Sequence, residues 1–87
     1  MKYGYIELGK MNPEMMGFNT EQRKKKMQEF AQQSEKKGFK VLMWGHPYGV
    51  SENIVVVYES EKPLADFTLR SLPAVMDDNR TILTANP

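Results

Sequence analysis

His46 is the only histidine of the chain, and an imidazole titrates near neutrality, as a general base requires. It stands in the segment Gly45–Gly49, where glycine and proline predict a turn. Glu52 and Asn53 follow this turn at a spacing that could bring them to His46. We expect His46 to be a general base or a haem ligand, or else an ordinary turn residue, since no second catalytic group is fixed beside it.

Glu7 is the second candidate catalytic residue. It alternates with Tyr3 and Tyr5, so the three side chains share one face of a strand. A carboxylate facing an apolar cavity from a central strand would have a raised pKa and could act as an acid or a base. The alternative is that Glu7 lies near the strand end and reaches solvent or a cation such as Arg80.

Aromatic side chains around these two groups are the candidate ligand contacts, namely Tyr3, Tyr5, Trp44, Tyr48 and Tyr58. Such rings, with a few polar groups, are typical of a small-molecule pocket. Arg80 could bind an anionic ligand, although a surface ion pair is its plainer interpretation.

Two further groups of residues are interpreted as structural. The basic run Arg23–Lys26 is flanked by Glu21 and Glu29, which is typical of a solvated helix face rather than of a phosphate-binding patch. The methionines Met11, Met15, Met16 and Met27 are expected in a lid or a dimer contact, not in a metal site.

Composition excludes several classes of protein. The chain has 87 residues, a formal net charge of +1 and no cysteine, so disulfides, zinc ribbons and cysteine nucleophiles are absent. We expect no nucleic-acid partner, no membrane span and no signal peptide, because the strand-like sequence begins at once. The absence of cysteine fits a reducing compartment, and we expect the cytoplasm.

The order of predicted elements is β-α-β-β-α-β. Strands are predicted at residues 2–11, 39–44, 53–59 and 80–85, with a loop at 9–20 and a turn at 77–79. One helix runs from Asn19 or Thr20 to Lys37, with an Asn19–Gln22 capping box and a stop at Gly38. The other begins at Lys62–Pro63, buries Leu64, Phe67 and residues 69–72, and is stopped or kinked by Pro73. This order predicts one ferredoxin-like domain over residues 1–87, an antiparallel four-stranded sheet with both helices on one face.

Both faces of this sheet are apolar in sequence. Ile54, Val56 and Tyr58 alternate with Val55 and Val57 in the third strand, and the second strand sets Phe39, Val41 and Met43 against Leu42 and Trp44. If Gly4, Ile6 and Leu8 meet the helices, the tyrosines of the first strand face the other side. Two helices cover one face only, so we expect a second copy of the chain to cover the other. A domain of this size without disulfides also gains stability from such association.

These features resemble the dimeric α/β-barrel superfamily. The resemblance is carried by the element order, the doubly apolar strands and the segments Val41–Gly45 and Asn53–Leu64, in which a polar strand end precedes a proline. The superfamily includes cofactor-independent monooxygenases, muconolactone-isomerase-like enzymes, haem proteins and members without known activity. The resemblance implies a cavity beside each sheet and no particular reaction. RNA-stacking aromatics, an acylphosphatase-type arginine loop and nucleotide motifs are all missing from this sequence.

The sequence therefore predicts a homodimer that binds a small apolar or aromatic molecule between sheet and loops, near Trp44 and His46. No cofactor is expected, although the resemblance leaves haem open. The alternatives are a structural or regulatory dimer without catalysis and an enzyme resembling the monooxygenases or isomerases.

Overall fold

The chain forms a four-stranded antiparallel sheet with its helices on one face. The computed structural model describes residues 2–70, 72 and 75–85. In chain order the elements are β1 (Tyr3–Met11), α1 (Pro13–Gly17), α2 (Thr20–Lys36), β2 (Lys40–Gly45), β3 (Ile54–Ser60), α3 (Leu64–Leu69) and β4 (Met76–Ala85).

The strand order is β2-β3-β1-β4, and every neighbouring pair is antiparallel. Phe30 of α2 and Phe67 of α3 both contact the ring of Tyr58 on β3, so α2 and α3 cover the same face. The predicted ferredoxin-like fold is confirmed.

Helix α2 has the two ends that the sequence predicts. Asn19 Oδ1 accepts from the Gln22 backbone N–H and Gln22 Oε1 accepts from the Asn19 backbone N–H, both at 2.9 Å, which is a complete capping box. At the other end Gly38 has φ +92°, a conformation that glycine adopts without a steric penalty.

The segment predicted as a loop between β1 and α2 contains the short helix α1. Asn12 caps it by accepting from the Met15 backbone N–H at 2.9 Å. Arg23 then donates to the carbonyl oxygens of Met15 and Met16, and Lys26 pairs with Glu14 at 3.3 Å. Two cations of the basic run therefore fix α1 against α2.

The region around β4 differs from the prediction. The predicted turn at 77–79 is wrong, because Asp77 and Met76 continue the ladder opposite Lys10 and Met11 beyond a bulge in β4. Helix α3 is shorter than predicted and buries only Phe67, while Leu64 and Leu69 are exposed. The predicted effect of Pro73 lies outside the described residues.

The face of β1 that packs under the helices is the opposite of the one that the sequence analysis assumed. Tyr5 and Glu7 are buried on the helix side, where Tyr5 stacks on Phe67 with 4.5 Å between ring centroids. Gly4, Ile6 and Leu8 accordingly lie on the opposite, open face. The large ring of Tyr5 lies in the core under the helices. Gly4 and Ile6 lie on the face that one chain does not cover.

A bulge in β2 corrects the predicted alternation of that strand. Val41 is opposite Tyr58 and Trp44 is opposite Val56, with one extra residue between them. Val41 and Trp44 therefore both pack against the core on the helix side, whereas Leu42 and Met43 are exposed. The sequence pattern had predicted that Met43 lies on the same face as Val41. It had predicted that Trp44 lies on the opposite face.

The open face is apolar, as predicted. Its central positions are Ile6, Val55 and Val57, which are half-buried, and its edges carry Leu42, Met43 and Ile82, which are 51%, 60% and 45% exposed. No helix among the described residues has the length and apolarity needed to cross a bilayer.

Candidate functional site

A polar cluster centred on the buried Glu7 lies on the helix side of the sheet. It consists of Glu7 on β1, Tyr58 on β3, Arg70 after α3 and Asn79 on β4, which we call the Glu7 cluster. Glu7 Oε1 accepts from the Tyr58 hydroxyl at 2.7 Å and from Arg70 Nη2 at 2.9 Å, and Oε2 accepts from Asn79 Nδ2. A carboxylate with both oxygens occupied by donors is held in one orientation.

Arg70 connects this cluster to the aromatic core. Its side chain is only 9% exposed, and its guanidinium carbon lies 3.7 Å from the ring centroid of Phe67 and 4.8 Å from that of Tyr58. Nη2 also donates to the Tyr58 hydroxyl at 3.2 Å. Nη1 is buried and has no hydrogen-bond partner within the described part of the chain. The charge of Arg70 is thus compensated by Glu7, while one of its nitrogens is unused.

The Glu7 cluster borders a cleft of about 420 Å³ that lies between the helices and β4. The apolar lining residues are Phe30, Phe67, Leu72, Val75 and Met76, and the polar lining residues are Glu7, Thr68, Arg70, Asn79 and Thr81. Small-molecule sites commonly combine apolar side chains with fixed polar groups.

Burial shapes the protonation of the tyrosines in this region. Burial and the negative charge of Glu7 raise the pKa of Tyr58 far above its usual value. Burial likewise raises the pKa of Tyr5, whose hydroxyl donates to the Lys62 carbonyl oxygen. Both side chains therefore remain neutral hydrogen-bond donors at physiological pH.

The structure brings together only part of the predicted site. Glu7 and Tyr58 are in direct contact, and Tyr5 lies beside Tyr58 in the core. Tyr3 is half-buried and packs against the core next to Tyr5, at 6.2 Å between ring centroids. Trp44 also packs against the core. Of the predicted site residues, only Glu7 lines the cleft.

The predicted residues of the turn between β2 and β3 lie elsewhere. His46 is exposed, and its Nδ1 is 2.8 Å from the Asn53 carbonyl oxygen. Tyr48 is 96% exposed. Neither residue lines the cleft, and Glu52 pairs with Arg80 rather than with His46. The turn is therefore separate from the Glu7 cluster.

The pair formed by Arg80 and Glu52 is the surface ion pair that the sequence offered as one alternative. Arg80 Nε donates to Glu52 Oε2, and Arg80 Nη2 lies 3.3 Å from Glu52 Oε1. This hydrogen bond lowers the pKa of Glu52 and raises that of Arg80. Arg80 is thus occupied and does not reach Glu7.

Sequence reasoning missed Arg70 and Asn79, which complete the site. Arg70 was hidden in an apolar stretch interpreted as the buried side of a helix, and Asn79 in a predicted turn. One signal was available: a single arginine among apolar residues is seldom buried without a carboxylate partner. Glu7, on a central strand, was the matching carboxylate.

A haem held through histidine does not fit the cleft, because His46 is the only histidine and lies outside it. Among the described residues, no three histidine, aspartate or glutamate side chains form a group that could hold a metal ion. We derive no step through a metal or a haem.

Comparison with known proteins gives similarity of fold. No family model and no curated protein matches the sequence. Two solved structures of mutant chlorite dismutase from Candidatus Nitrospira defluvii, W146Y R173Q and R173E, are similar at 25% identity, with TM-scores of 0.49 and 0.48. Each comparison covers 76% of this chain and 28% of the other.

Proposed function

We propose that this protein binds a small, largely apolar molecule in the cleft beside the Glu7 cluster. The observation that carries the proposal is a charged, hydrogen-bonded cluster at the edge of an aromatic core, three of whose members line a cleft of about 420 Å³. Burying such a cluster costs desolvation energy, and a purely structural core would be served as well by apolar residues. A function that offsets this desolvation energy is the orientation of a ligand by the charged groups of the cluster.

Binding explains the geometry better than acid–base catalysis does. Glu7 accepts three hydrogen bonds, two at Oε1 and one at Oε2, so its carboxylate is engaged in holding Tyr58, Arg70 and Asn79. His46, the other candidate base, lies outside the cleft. We therefore assign Glu7 the role of fixing Arg70 and Tyr58, and His46 no catalytic role.

A screen of small aromatic and aliphatic fragments, observed by amide chemical-shift changes in the labelled protein, tests this proposal. We expect some fragments to shift the amides of cleft residues such as Thr68 and Thr81. The variant Thr81→Trp should block these shifts by filling the cleft, whereas Leu69→Trp, at an 82% exposed position, should leave them unchanged. A screen in which no fragment shifts the cleft amides would contradict the proposal.

The proposed assembly is a homodimer formed through the open face of the sheet. Ile6, Val55 and Val57 form its centre, and Leu42, Met43 and Ile82 continue the apolar surface to both edges. A second copy packed by a two-fold axis covers this surface with an identical one. The lack of cysteine in the chain supports a reducing compartment such as the cytoplasm for this dimer.

Sedimentation velocity at micromolar concentration tests the dimer. We expect the unmodified chain to sediment as a dimer and Met43→Glu or Ile82→Glu to sediment as a monomer, because a charge would be buried in the interface. Leu69→Glu introduces the same charge away from the open face and should remain dimeric. A monomeric unmodified chain would overturn this assembly without affecting the cleft.

A further inference from the structure

The hydrogen-bonding groups of the cleft indicate which ligand it accepts. Glu7 accepts three hydrogen bonds and its charge is paired with Arg70, so it is already engaged within the protein. Arg70 has unused donor capacity, because its buried Nη1 has no partner within the described residues while Nη2 serves Glu7 and Tyr58. Nη1 is therefore an unused donor beside the cleft, and an acceptor atom complements it.

The balance of charge between Arg70 and Glu7 indicates which kind of acceptor atom the ligand carries. Arg70 and Glu7 neutralise each other at 2.9 Å, and both side chains are more than nine-tenths buried. A ligand carboxylate would add a second negative charge beside Glu7 in a poorly solvated site, which is unfavourable. A neutral carbonyl oxygen accepts from Arg70 without adding charge.

We propose that the ligand of this cleft is an uncharged apolar molecule with a carbonyl oxygen, and that Arg70 Nη1 donates a hydrogen bond to that oxygen. The proposal rests on the proposed binding function and names its ligand class. The apolar body of the ligand packs on Phe67, Leu72 and Met76, of which the last two are only partly buried. Because Nη1 is closed to solvent, binding includes a local movement of the cleft wall. The ligand then supplies the partner that Nη1 lacks.

Four probes of one size separate the possible ligand classes, namely acetophenone, ethylbenzene, benzoate and benzylamine. Amide chemical-shift titration of the unmodified protein should give tighter binding of acetophenone than of the other three. A hydrogen bond to a charged donor predicts a preference over ethylbenzene of roughly 10- to 100-fold. This comparison uses the native chain and so does not depend on whether a variant folds.

Two arginine variants then identify the donor. Arg70→Met should remove the preference for acetophenone over ethylbenzene, and Arg80→Met, which removes an arginine from the separate Glu52 pair, should retain it. Circular dichroism establishes that both variants are folded. If Arg70→Met does not fold, the four-probe comparison alone tests whether the cleft prefers a carbonyl ligand.

The outcomes distinguish this inference from the function on which it rests. If ethylbenzene binds as tightly as acetophenone, or if benzoate or benzylamine binds more tightly than acetophenone, the carbonyl proposal is overturned while binding in the cleft stands. If neither these probes nor the fragments of the wider screen shift the cleft amides, both are overturned.

Discussion

Arg70 and Glu7 form a buried ion pair in which a single nitrogen, Nη2, serves two acceptors. It lies 2.9 Å from Glu7 Oε1 and 3.2 Å from the Tyr58 hydroxyl oxygen. The pair joins residues 63 positions apart in the sequence and connects the start of the chain to the segment after α3. Its integrity is therefore coupled to the packing of α3 on the sheet.

Removing one member of this pair should destabilise the protein strongly. Arg70→Met leaves the carboxylate of Glu7 buried without its cation, and we expect a loss of about 3–5 kcal/mol in the free energy of unfolding. Urea denaturation measures this loss. The double variant Glu7→Gln, Arg70→Met should lose less than the sum of the two single variants, since no unpaired charge remains. Strict additivity of the two substitutions would contradict the coupling.

Raising the pH should destabilise the fold through Tyr58. Its pKa is raised in the folded state, because burial and Glu7 disfavour the phenolate. Its contribution to stability is therefore complete below the pKa of an unfolded tyrosine, about 10, and is lost as the pH rises above that value. Denaturation measured at a series of alkaline pH values should show this fall.

Two tyrosine variants isolate that effect. Tyr58→Phe should weaken the alkaline loss of stability, at a cost of about 1–3 kcal/mol at neutral pH for the lost hydrogen bond to the Glu7 carboxylate. Tyr48→Phe, at a fully solvated position, should leave the pH profile unchanged. The same alkaline fall in both variants would assign it to other groups.

The fold was predictable from the sequence because local signals and burial agree in it. The consecutive valines of β3, the Asn19 capping box and Gly38 each indicate an element or its end without reference to distant residues. The orientation of β1 was not predictable in this way. Its two faces are both partly apolar, and only packing under the helices decides that Tyr5 and Glu7 point inward.

The site was less predictable because long-range pairing creates it. Glu7 and Tyr58 could be chosen as candidates, but their common partner Arg70 follows a helix whose end the sequence did not define. Asn79 reaches Glu7 only because β4 continues past the bulge opposite Leu8 and Lys10. A bulge shifts the register of two paired strands by one residue. The alternation of apolar and polar residues in the sequence does not show where a bulge occurs.

The capping box of α2 should contribute measurably to stability. Asn19→Ala removes the acceptor of the Gln22 backbone N–H, and we expect a loss of about 1 kcal/mol in the free energy of unfolding. Gln28→Ala, at an exposed position within the same helix, tests whether any substitution there has this effect. Equal stability of Asn19→Ala and the unmodified chain would show that water replaces the cap without cost.

Gly38 and Gly49 form a matched pair that separates backbone strain from steric contact. Both have positive φ, at +92° and +79°, so alanine at either position should cost about 1–2 kcal/mol of stability from strain alone. At Gly49 a Cβ would meet nothing within 4 Å, whereas at Gly38 it would lie 2.7 Å from Cε of Lys62. Gly38→Ala should therefore be the more destabilising of the two.

The excess at Gly38 should disappear when Lys62 is shortened, because the clash involves only the end of that side chain. In a Lys62→Ala background, Gly38→Ala should cost about the same as Gly49→Ala, again roughly 1–2 kcal/mol. Thermal or urea denaturation of the four variants measures both differences. An excess that persists without the lysine side chain would place its origin in the end of α2 and in the hydrogen bond from Ser60 Oγ to the Gly38 carbonyl oxygen.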